Sequence, residues 1–82
     1  MSMHEGLPVA GYRPQSDEAI DLVNTMKMRE ETILRVLDDL AAAGTCDPRW
    51  LAIGRTDLER AFMAINRAIF NPARVALPFD RT

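Results

Sequence analysis

The chain has 82 residues, of which 48% are hydrophobic and 27% charged, and its formal net charge is −2. These values describe one small domain of ordinary globular composition. They argue against a general DNA or RNA binder, which carries a strong basic excess, and no apolar run approaches the roughly 18–20 residues of a membrane span. Cys46 is the only cysteine, so no internal disulfide can staple the small core, and a lone thiol in a turn fits a reducing cytoplasm.

Met1 to Pro14 reads as an irregular arm, punctuated by Gly6, Pro8, Gly11 and Pro14. Its start, "MSMHEGLPVAG", lacks the basic region and apolar stretch of a secretory signal. A first helix is predicted over about 16–43. Ser16 is placed to cap it, Asp17 and Glu18 suit its positive end, and Gly44 suits its left-handed exit. Ile20, Val23, Met26, Ile33, Leu37 and Leu40 recur at helical spacing.

"GTCDP" reads as the turn. Asp47-Pro48 is an N-cap followed by proline at the first helical position, opening a second helix over about 48–70. Leu51, Leu58, Phe62, Ile65 and Ile69 form its apolar stripe, and Asn71-Pro72 ends it, because a residue before proline avoids the helical region. Val75, Leu77 and Phe79 lie in a tail. No segment carries the alternation of a strand, so the fold class is all-α: a single antiparallel two-helix hairpin over residues 1–82, with an arm at each end.

The apolar surface is broader than one hairpin needs. Trp50, Ile53 and Met63 fall off the stripe of the second helix, and Leu22, Met28 and Val36 off that of the first. This predicts a compact homo-oligomer whose core lies between chains.

Catalytic chemistry has little support. His4 is the only histidine and stands in the arm, Cys46 has no base nearby in sequence, and metal-ligand spacings and phosphate-binding glycine loops are absent. The expectation is a protein with no catalytic residues, no metal and no cofactor. Glu30-Glu31 and Asp38-Asp39 resemble carboxylate pairs, but Lys27/Glu31, Glu31/Arg35 and Arg35/Asp39 all stand at i,i+4, the pattern of a solvated, charge-laced face.

Lys27 is the single lysine against nine arginines, and it lies on or beside the apolar stripe. Taken alone it reads as a boundary residue with its ammonium reaching to water. Tyr12 alone reads as a cap over the hairpin and Arg13 as a surface cation. Together they supply an aromatic face for a base and cations for phosphate, the minimum equipment for a nucleotide. Arg55, Asn66 and Arg67 are polar groups among apolar neighbours, with Gly54 allowing close helix approach. Arg55 has Glu59 as an i+4 partner, whereas Arg67 has no acidic residue at i−4 or i+4 and is the better candidate for a ligand or intersubunit contact.

"LPVAGYRP", the helix start "SDEAIDLVN" and "RWLAIGRTDLERAFMAINRAIFNP" together resemble the phage-encoded anti-CBASS cyclic-oligonucleotide sponges, which share a helical hairpin with Thoeris-inhibiting sponges. The resemblance spans about Leu7 to Pro72, and the second-helix stretch is its most specific part. It implies a homohexamer that sequesters cyclic dinucleotides such as 3′,3′-cGAMP between protomers, in the cytoplasm of the infected bacterial host. It maps base stacking onto Tyr12 and phosphate binding onto Lys27, with Arg13 beside them. It also implies a separate cyclic-trinucleotide site on threefold axes, carried here to Arg67. Two readings from other classes compete: an adaptor hairpin that serves only assembly, and a phosphodiesterase, which the missing metal or base constellation disfavours.

Overall fold

The computed structural model describes Gly11 and residues 13–80. Helix α1 runs Asp17–Ala43 and helix α2 runs Pro48–Phe70; no strand occurs among the described residues. Each helix end has a physical cause. Ser16 Oγ accepts from the Ala19 amide at 3.1 Å, satisfying one of the donors that a helix start leaves free. Gly44 leaves α1 at φ 71°, its amide bonded to Ala41 O, a conformation that costs glycine little.

Asp47 Oδ1 then accepts from both Arg49 N, at 2.9 Å, and Trp50 N, at 3.2 Å, while Pro48 fills the position where an amide is not needed. Asn71 ends α2 in the left-handed region at φ 45°, its amide on Arg67 O at 2.7 Å. Asp47→Ala is expected to lower stability by about 1 kcal/mol, and Asp47→Asn by much less. Denaturant midpoints of the two variants check this; equal midpoints would show the cap to be idle.

The two helices pack along a narrow seam. Val23 (4% exposed) and Phe62 (8%) are the only buried apolar side chains among the described residues. Half-buried Met26, Glu30, Leu34 and Leu37 continue the seam on α1, and Leu51, Arg55, Leu58, Asn66 and Ile69 on α2. The spacing is close to three-and-a-half residues, the period that keeps one stripe facing one partner helix. The expected stripe is corrected here: Leu34, not Ile33, lies on the seam, which runs 23, 26, 30, 34, 37 with two successive four-residue steps in its middle. Ile20, Ile33, Leu40 and Ile65 remain more than one-third exposed.

Two polar expectations also change. Arg55 pairs with Asp38 across the hairpin through Nη2 rather than with Glu59 on its own helix, since its seam position points it at α1. Of the three i,i+4 pairs expected on α1, only Glu31–Arg35 closes, at 2.9 Å, among the described residues. Gly54 has open space where a side chain would be, so it does not mark a close helix approach.

The molecule is long for its mass. Its radius of gyration is 18.2 Å, against roughly 12 Å for a compact chain of this length. Its accessible surface is 7271 Å², where a folded monomer of this mass shows roughly 4,900 Å². Much of the excess is apolar: Leu22, Met28, Val36, Trp50 and Met63 are all more than half exposed, and Phe79 in the tail is 79% exposed. Among the described residues, no helix is long and apolar enough to cross a membrane.

Candidate functional site

At the open end of the hairpin, opposite the turn, four segments enclose a groove of about 510 Å³. Ile20, Val23 and Lys27 come from the first three turns of α1, and Asn66, Arg67 and Phe70 from the last turns of α2. Arg13 and Gln15 come from the arm and Pro72 from the start of the tail. Helical periodicity explains the α1 contribution, since 20, 23 and 27 share one face. The floor is the seam itself at Val23; the rim is charged.

The electrostatics have one sign. Arg13, Lys27 and Arg67 line the groove, and no carboxylate does among the described residues. None of the three forms an ion pair among the described residues, and all three are exposed. Three cations above an apolar floor suit a compact anion that also carries flat apolar surface. Arg67, near the C-terminus of α2, further complements the negative end of that helix.

The arm is fastened at two points. Gly11 O accepts from the Ala73 amide at 2.9 Å. Gln15 Nε2 donates to Arg13 O at 2.7 Å and to Phe70 O at 2.9 Å. Gly11 adopts φ 81°, and a Cβ there would stand 2.5 Å from Ala73 O, so only glycine fits without displacement. Beside the groove, Asn66 Oδ1 is buried with no hydrogen-bond partner. Such an atom is uncommon in folded proteins.

Of the residues singled out from the sequence, Arg13, Lys27 and Arg67 are brought to one groove within a single chain. Arg67 lines that groove in the single chain, whereas the resemblance assigns it to a separate site. Tyr12 and His4 lie outside the described residues. Gln15, Phe70 and Pro72 were not singled out for this site. Gln15 carries no sequence signal, because its partners include a carbonyl 55 positions away. Cys46 is a free, half-buried thiol near the turn, far from the groove. Among the described residues, no three of His, Cys, Asp and Glu gather around a common metal position.

A two-helix hairpin whose open end collects three cations and an apolar floor has the chemistry to suit a small anionic ligand. A family profile for the Acb2/Tad1 hairpin domain matches residues 5–70, and the chain belongs to that family. Members are anti-defence sponges that bind rather than turn over their targets, and membership implies cyclic oligonucleotide ligands. No curated protein matched the chain.

Proposed function

We propose that this protein binds cyclic dinucleotides of the 3′,3′-cGAMP type and sequesters them without cleavage, silencing CBASS anti-phage signalling in the infected host cytoplasm. The observation that carries the reading is the convergence of Arg13 and Lys27, with Arg67 beside them and no carboxylate among the described lining residues, on one apolar-floored groove. A cyclic dinucleotide is a near-twofold dianion with two flat bases. Two copies of the groove meeting across a twofold contact would each take one phosphate and one base. Lys27 and Arg13 supply charge to phosphate, each such bond contributing about 1.5–3 kcal/mol. Tyr12, adjacent to Arg13 in the chain, supplies the ring for a base, at about 1–3 kcal/mol per base.

Assembly into a homohexamer is part of the proposal. It is supported by the surface in excess of a folded monomer's and by the exposed apolar residues on both helices. Cyclic trinucleotides held through Arg67 on threefold axes of that hexamer are proposed as second ligands. An adaptor hairpin that only mediates assembly accounts for the apolar faces but not for three cations around one groove.

Calorimetric titration with 3′,3′-cGAMP, followed by denaturation and recovery of the nucleotide, tests the reading. Saturable heat with intact nucleotide is expected. Linearised product would mark an enzyme, and absence of heat would leave the adaptor. Few phosphates are engaged, so affinity should fall only modestly with salt.

A further inference from the structure

We propose that Gln15 is a positioning residue for the groove: its amide latches the Arg13 segment of the arm onto the C-terminal end of α2. The inference rests on the ligand reading above for its consequence in binding, but the latch itself exists in the unliganded protein. Gln15 Nε2 has two protons, and both are committed, one to Arg13 O and one to Phe70 O. Phe70 is the last residue of α2, so its carbonyl is among the four that a helix end leaves without an internal partner. A side chain from before α1 therefore satisfies the far end of α2, and in doing so fixes the backbone that carries one of the three groove cations.

The second fastening uses different groups but holds the same short stretch, so release of the first should loosen it. Gly11 O is held by the Ala73 amide, two residues beyond the Asn71 cap. Gly11 and Arg13 flank Tyr12 in the chain, and the carbonyls of both are tied down, one to the tail and one through Gln15 to α2. The Gly11 and Arg13 backbone, held at two points, has lost much of its conformational freedom before any ligand arrives. Ordering it at the moment of binding would otherwise weaken affinity by roughly five- to thirtyfold for each residue fixed. Direct recognition of ligand by Gln15 is left to Oε1 alone, because no proton on Nε2 is free.

The Ala73 amide proton reports on the latch without any ligand. In the wild-type protein its exchange with solvent should be slowed by the bond to Gly11. Gln15→Ala and Gln15→Glu each remove both donors, the second keeping length and an acceptor oxygen. Both should speed Ala73 exchange about tenfold, leave amides in the middle of α2 unchanged, and weaken 3′,3′-cGAMP binding about tenfold. Gly11→Ala attacks the other fastening and should give the same local signature.

Unchanged Ala73 exchange in both Gln15 variants overturns the latch, whatever happens to affinity; a loss of affinity alone would mean contact through Oε1. Faster exchange along the whole of α2, with a lower melting temperature, would also overturn it and reduce Gln15 to a helix cap. If the wild-type protein binds no 3′,3′-cGAMP, the ligand reading fails, while the exchange measurement still decides whether the latch exists.

Discussion

Lys27→Glu is expected to raise the Kd for 3′,3′-cGAMP about a hundredfold or more while leaving the hairpin folded. The side chain is exposed, lines the groove and makes no ion pair among the described residues. Changing it therefore costs the fold little, since surface substitutions away from specific contacts usually stay within about 0.5 kcal/mol. Binding is a different matter. A charge-assisted bond to phosphate of about 1.5–3 kcal/mol is lost, and a carboxylate replaces it in front of an anion. Lys27→Arg keeps the charge but presents a planar fork instead of a compact ammonium, so a smaller loss is expected. Calorimetry and a thermal melt on the same samples check both halves. Wild-type affinity in Lys27→Glu would remove Lys27 from the site.

Phe62→Ala has the largest expected effect on stability. Phe62 and Val23 are the only buried apolar side chains among the described residues, so truncating Phe62 removes one of the two that the seam buries most deeply. Phe→Ala in a core costs about 3–5 kcal/mol. For a domain of this size that is a drop of roughly 12–40 °C in melting temperature. Few small domains have that much to spare. Loss of helical circular dichroism at ambient temperature, or a melt shifted by that amount, is the expected outcome. A shift under about 5 °C would show that the hairpin is held by something other than its own seam. Phe62→Leu, which keeps most of the volume, should shift the melt far less.

The contrast between these two residues shows which parts of the molecule can be read from its sequence. Helix ends are legible because capping is local: Ser16, Gly44, Asp47-Pro48 and Asn71-Pro72 each act within four residues of themselves. Val23 and Phe62 are legible as core by periodicity. The choice of Leu34 over Ile33 is not, because two adjacent aliphatic residues satisfy a helical period equally well. The Arg55–Asp38 pair defeated a same-helix rule, since the seam turned both side chains across the hairpin.

The site divides in the same way. Arg67 stands out as a cation with no acidic i±4 neighbour, Lys27 as the single lysine and Arg13 by its place beside Tyr12, and the groove collects all three. Gln15 and Gly11 were beyond reach, because their contacts join residues that only the closed hairpin makes neighbours.

The bond between Gly11 and Ala73 brings the arm and the tail together at the groove, while the turn carrying Cys46 lies at the other end. From Lys27 to the end of α1 is 16 residues, roughly 24 Å along the axis. A bulky group attached beside Gly11 or Ala73 would therefore crowd the very place where a nucleotide would enter. A dye or a solid-support tether on the single thiol would leave that entrance clear, so the hairpin's bend is the natural handle for building a sensor from this protein.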